Sequence, residues 1–326
     1  MEKNKRFDTN KFFQALRKLD LGKSRSFYAF LGVFILSFVL SIISPHFLTM
    51  SNILNVLRQV SIIAIISIGM TLVIILGGID LSVGSTLAFS SMCMAVLMKN
   101  GVNVYFAIIA GIVIGALLGL FSSYLITGWI QAPAFISTLS TMSISRGLTL
   151  IISGGAPIFG LPEEFGFFGG GYLFNIPIPI IIMILAYIVS HIYLMYSIEG
   201  TYIFAVGGNP EAARLSGINV KKMTFKVYVI SGITAAIAGV ILSSRLLSIE
   251  PLAGLSYELD AIASAVIGGA NLMGGEGSLI GTFMGALIMG ILRNGLNLLN
   301  VSTFWQQVVV GFVIIATVAI GTIRKN

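Results

Sequence analysis

Runs of about twenty apolar residues, almost free of charge, recur along this chain and leave it few possible folds. Ten such runs stand at about 27–43, 59–76, 81–98, 104–126, 134–152, 178–197, 224–243, 259–272, 278–299 and 304–322. About 20 apolar residues cross the hydrocarbon core of a bilayer. In lipid every backbone N–H and C=O must be satisfied within the protein, so such runs fold as helices. Only 10% of the 326 residues are charged and 56% are hydrophobic, whereas a soluble domain carries about 25% charged residues. The expected fold class is therefore all-α integral membrane: a polytopic helical bundle of about ten transmembrane helices with glycine-rich broken helices.

The distribution of positive charge gives orientation. Eight of the 19 Lys and Arg lie in the first 25 positions, and the tail, the loop at 198–226 and the C-terminus together hold 14. Lys and Arg are retained on the cytoplasmic side, so these segments are expected there, with both termini cytoplasmic. The net charge of +7 thus reflects membrane orientation, and no nucleic acid partner is expected. Glu163 and Glu164 mark an external loop at 153–177, and Glu250, Glu258 and Asp260 face Arg245 alone at 244–260. The run after the basic tail is long for a signal peptide and is followed by SPHF instead of a small-residue cleavage site, so it reads as a retained first span. This divides the chain into a basic cytoplasmic segment, 1–26, and a transmembrane domain, 27–326, with a cytoplasmic loop at about 199–223.

Two glycine-rich breaks interrupt the apolar pattern. Gly77-Gly78-Ile79-Asp80-Leu81 is echoed by Gly268-Gly269-Ala270-Asn271-Leu272, and a serine follows each, Ser85 and Ser278. Interrupted segments at matching places in two halves of a membrane protein point to a translocation pathway; chance recurrence of glycine turns is the plainer account. Asp80 in lipid would cost about 2.5–3.5 kcal/mol on insertion scales, so it faces protein or water. Two roles stay open. Asp80 can satisfy amides at the start of the next helix, with Ser82 and Ser85 as further caps, or it can touch a transported substrate.

Other features have ordinary structural readings. Gly111, Gly115 and Gly119, and likewise Gly277, Gly281 and Gly285, make strips for close helix crossing. Ser137, Thr138, Ser140, Thr141, Ser143 and Ser145 fit interhelical hydrogen bonding, with Arg146 the one charge in that run. In the long cytoplasmic loop, Asn209 is placed to cap a short helix, Pro210 and Glu211 suit its first turn, and Gly217 ends it. Cys93 is the only cysteine, so no internal disulfide forms, and no spacing suggests a metal site. His46 and His191 stand apart from any catalytic grouping, and no P-loop, HExxH or GxSxG motif occurs.

GMTLVIILGGIDLSVGS, AVGGNPEAARLSGINV, YELDAIASAVIGGANLMGGEGSLIGT and GALIMGILRNGLNLL, in this order, resemble the membrane-spanning permease subunits of bacterial ABC sugar importers, the ribose-type family most closely. One departure is Glu276, between glycines where a small or basic residue is expected. The resemblance implies a permease of the bacterial cytoplasmic membrane working with an ABC ATPase (a tandem one), an extracytoplasmic sugar-binding protein and a second permease copy as homodimer. ATP and Mg would sit on the ATPase, and this chain would hold no cofactor and catalyse no reaction. It also implies that Gly208, Asn209, Glu211, Ala212, Arg214 and Gly217 form the element that couples to the ATPase. The breaks at Gly77, Gly78, Asp80 and Ser82 and at Gly268, Gly269 and Asn271 are expected, from their glycine-interrupted pattern, to line the pathway. Ribose is the expected substrate, with autoinducer-2 or a nucleoside-like compound as alternatives. An ion-driven transporter would need more paired ionisable groups within the membrane than Asp80, Arg146 and Glu276 supply.

Overall fold

A computed structural model describes residues 25–323. Each of the ten apolar runs coincides with a helix. The helices are α1 (Arg25–Ile43), α2 (Met50–Ile75), α3 (Val83–Lys99), α4 (Val104–Thr127), α5 (Ala134–Ser153), α6 (Phe167–Gly170), α7 (Ile178–Tyr196), α8 (Ile198–Gly208), α9 (Pro210–Leu215), α10 (Val220–Leu246), α11 (Tyr257–Ile267), α12 (Leu279–Leu298) and α13 (Thr303–Ile323). Four two-residue strands pair off. β1 (Ile158–Phe159) lies antiparallel to β4 (Ser248–Ile249), and β2 (Tyr172–Leu173) to β3 (Ile176–Pro177). Among the described residues six helices, α2, α4, α5, α7, α10 and α12, are long and apolar enough to cross a membrane. Three more, Tyr28–Ile43, Val83–Lys99 and Thr303–Ala316, are apolar but shorter. The basic segment 1–24 and the C-terminal 324–326 lie outside the described residues.

Several boundaries move from where hydropathy puts them. α2 starts nine residues before its apolar run, at Met50, because Thr49 accepts from Asn52 N and opens a polar first half containing Arg58. α11 is three residues shorter than the 259–272 run because its chain turns at Gly268 and Gly269. The loop at 199–223 holds two helices where the sequence suggested one. Ser197 accepts from Gly200 N and starts α8 ahead of the expected α9.

α2 and α10 form the centre of the bundle. From Val60 to Ile75 nearly every α2 side chain is buried. α10 crosses α4 with backbone almost on backbone. A Cβ at Gly115 would stand 2.4 Å from Gly232 O, and one at Gly119 would stand 2.1 Å from Tyr228 O. The first glycine strip is thus a helix crossing, although Gly111 faces the Met94 side chain on α3. The second strip is shorter than the spacing suggested. Gly277 precedes α12 and packs on Ile75, while a Cβ at Gly285 would meet Ser264 O at 2.0 Å.

Most α5 hydroxyls bond back along their own helix, as Ser140 does to Ile136 O and Thr149 to Ser145 O. Two reach across: Ser122 donates to Thr141, and Thr138 donates to Ile79 O at the first break. Such back-bonding satisfies a hydroxyl cheaply in lipid. It leaves few of these groups for a partner helix.

Candidate functional site

Both breaks are built from the same two devices. α2 ends with Gly77 N donating to Ile74 O and Gly78 N to Val73 O; α11 ends with Gly269 N donating to Val266 O and Ala270 N to Ala265 O. This is the glycine-terminated helix end in which a left-handed residue lets two amides reach back to orphan carbonyls. Gly77 at φ 91° and Gly269 at φ 97° hold that conformation. A turn closed by the acidic or amide side chain follows each. Asp80 Oδ1 accepts from Ser82 N at 2.9 Å, and Asn271 Oδ1 accepts from Met273 N at 3.2 Å. The echo is therefore structural, with one residue fewer between glycine and turn in the second copy: Gly77 corresponds to Gly269, not to Gly268. Gly268 instead meets the α12 backbone, where its Cβ would stand 2.3 Å from the carbonyl carbon of Gly281.

Asp80 is 2% exposed. Its carboxylate accepts from the Ser82 amide and hydroxyl and, across to α10, from the Ser231 hydroxyl at 2.7 Å. The expected serine caps are corrected. Ser82 makes no side-chain cap at α3, because its hydroxyl is turned to Asp80, and Ser85 donates to Ser82 O. Asp80 thus ties the break to α10 as well as closing its turn. The Tyr228 hydroxyl is buried nearby without a partner.

The breaks meet each other, and the loop at 199–223 meets both. Gly275 N donates to Ile75 O, the last α2 carbonyl, at 2.8 Å. At the C-terminal end of α8, Gly207 lies over the same carbonyl. A Cβ there would fall 1.7 Å from Ile75 O and 2.7 Å from Gly275 N. Gly274, at φ 87°, abuts Gly207 O and the Cα of Gly77. Three segments distant in sequence thus touch backbone to backbone with no side chain between them. Gly207, Gly274 and Gly275 were not among the residues the sequence singled out; three consecutive motifs rich in glycine were the available signal.

Beyond Gly207 the loop is exposed. Asn209 caps α9 through Glu211 N at 3.1 Å and Ala212 N at 3.0 Å, and Gly217 follows at φ 85°. Glu211 and Arg214 pair at 2.6 Å on the open surface, and the guanidinium holds the Glu211 carboxyl below the ordinary carboxylate range. Ala212 is also exposed, while Ala213 packs inward. At the base of the loop Lys226 pairs with Glu199 and holds that carboxyl below its ordinary range.

Away from the breaks, Arg146 donates to Pro251 O and Ala253 O, each at 2.9 Å. Asp260, 1% exposed, takes two hydrogen bonds from Arg293 of α12 at 2.8 and 2.7 Å. This ion pair was not recognised in the sequence, where Asp260 reads as part of an external segment and Arg293 lies inside an apolar run. His191 sits half-buried on α7, edge-on to Tyr196.

A bundle of apolar helices with paired breaks and an exposed, capped loop at their junction is the architecture of a membrane transport protein. The model of the family described as branched-chain amino acid transport system / permease component matches residues 52–318. The chain belongs to that permease family. It is 50% identical over 291 residues to the ribose import permease protein RbsC of Bacillus subtilis (strain 168), covering 89% of this chain and 90% of that one. The ribose import permease protein RbsC of Escherichia coli (strain K12) is 43% identical, over 89% of this chain and 91% of its own. The D-allose transport system permease protein AlsC of the same strain is 40% identical, over 88% and 89%. No solved structure matches the chain.

Proposed function

We propose that this chain is the membrane-spanning permease subunit of an ATP-driven sugar importer, with ribose as its substrate. The observation that carries this reading is the near full-length similarity to ribose import permeases, 50% identical over 89% of the chain. The proposed mechanism is alternating access. A binding protein delivers sugar outside, two copies of the chain enclose the path, and a separate tandem ATPase holding ATP and Mg drives the change of access. The chain itself holds no cofactor. In this reading the helices at the ten apolar runs cross the bacterial cytoplasmic membrane, with both termini and the 199–223 loop inside. The concentration of Lys and Arg in those segments supports this.

The junction at Gly207 gives the mechanism a mechanical basis. Gly208, Asn209, Glu211, Ala212, Arg214 and Gly217 stand exposed, ready for an ATPase groove. Gly207, one residue before them, rests on both breaks. A push on α9 is therefore transmitted through rigid backbone contact to Gly77 and Gly274, and from there through Asp80 to α10. Packed interfaces of this kind shift between discrete arrangements instead of deforming smoothly.

The test is ribose uptake into proteoliposomes. Uphill accumulation is expected only with the ATPase, ATP and the binding protein all present. Accumulation by the chain alone under an ion gradient would replace this reading with an ion-driven one. The D-allose permease at 40% identity makes a hexose the second substrate to assay.

A further inference from the structure

The helices α11, α12 and α13 border an open cavity of about 120 Å³ whose lining mixes polar side chains with Leu259, Val310, Gly311 and Ile314. Asp260, Arg293, Gln307 and Ser256 line it. Arg293 is the fifteenth residue of α12, about 21 Å along the helix at 1.5 Å per residue. The cavity therefore lies well away from the Gly207 junction. On α13 the exposed neighbours are Phe304, Val308, Phe312 and Ile315, a face suited to lipid, and Gln307 stands exposed among them.

The polar groups here are incompletely used. Arg293 commits one guanidinium nitrogen to both oxygens of Asp260, while its Nε is buried without a partner. The side chain of Gln307 makes no hydrogen bond among the described residues. Its neighbour Gln306 is tied inward to Asn297 Oδ1 and Val301 O. Acyl chains offer such groups no partner, so lipid is a costly cover for this notch. Asp260 and Arg293 cancel in charge, so the cavity suits an uncharged ligand better than an ion or an anionic headgroup. The available groups are guanidinium and amide donors beside carboxylate and amide acceptors, and neighbouring hydroxyls both donate and accept.

We propose that this cavity is a monosaccharide contact site on the translocation path, with Arg293, Asp260 and Gln307 hydrogen-bonding adjacent sugar hydroxyls as the sugar passes. The proposal rests on the sugar-importer reading above and adds the residues that meet the substrate. Gln307 is the residue to test, because it is exposed and no fold contact depends on its amide.

The experiment uses the complete importer with its ATPase and binding protein in proteoliposomes, on a Cys93→Ser background that itself takes up ribose. Gln307→Cys is expected to react with a charged, water-borne thiosulfonate, and ribose with ATP and binding protein should slow the reaction at least threefold. Gln307→Leu is expected to reduce ribose uptake at least tenfold at unchanged complex yield, and Gln307→Asn to restore part of it. A residue that stays unreactive, a labelling rate indifferent to ribose while uptake proceeds, or full uptake by Gln307→Leu would each overturn the site and leave the importer reading standing. A parent importer that takes up neither ribose, allose nor arabinose would overturn both.

Discussion

Gly207 and Gly208 are neighbours in one motif, and the structure separates them sharply. A Cβ on Gly207 would sit 1.7 Å from Ile75 O and 2.7 Å from Gly275 N, whereas one on Gly208 would meet nothing within 4 Å. Ordinary van der Waals contact is at about 3.5–4.0 Å, so Gly207→Ala requires the α8 end to retreat by about 2 Å. The obstacle is backbone on both sides, so no rotamer change relieves it. Overpacking of this kind costs about 1–3 kcal/mol, occasionally more. The hydrogen bond from Gly275 N to Ile75 O is lost or stretched as well, at about 0.5–1.5 kcal/mol. Gly208→Ala faces no clash, and replacing a helical glycine gains up to about 1 kcal/mol. Thermal unfolding of the purified permease in detergent is the first assay: Gly207→Ala should lower Tm by several degrees and Gly208→Ala should not. Ribose uptake per ATP hydrolysed by the assembled importer is the second, and Gly207→Ala should fall at least tenfold in that ratio. Equal Tm for the two variants would refute the backbone junction, and an unchanged uptake ratio in Gly207→Ala would refute its transmitting role.

Asp80→Leu leaves the Ser82 amide and the Ser231 hydroxyl without an acceptor, at about 1–3 kcal/mol for each buried group, and should unfold well below the parent; Asp80→Asn keeps one acceptor and should retain more stability and uptake. Equal, complete loss of uptake with normal stability in both would point to a role for the charge itself. Glu211→Ala and Arg214→Ala break an exposed pair, so Tm should not change while sugar-stimulated ATP hydrolysis falls; normal stimulation in both would exclude α9 from docking. Gly119→Val places a branched side chain where a single Cβ already meets Tyr228 O at 2.1 Å, so the yield of folded protein should collapse, as read by size-exclusion chromatography.

Apolar run length and the scarcity of charge determine a helical membrane bundle in this chain, because lipid permits little else once the backbone must satisfy itself. Local signals were also legible. Asn209, Pro210 and Gly217 bound a helix by cap and turn chemistry that acts within a few residues. The doubled glycine motif marked both breaks, since a left-handed turn favours glycine, which has no Cβ to clash. What sequence could not give was which distant groups meet. Ser82 looks like a cap but spends its hydroxyl on Asp80, and Gly77 matches Gly269 and not Gly268, because hydrogen-bond register depends on where each helix stops. The joining of Gly207 to Ile75 and Gly275, and of Asp260 to Arg293, spans from 33 to 132 residues of chain. Such contacts exist only once the helices have packed, since neither partner carries a local mark of the other.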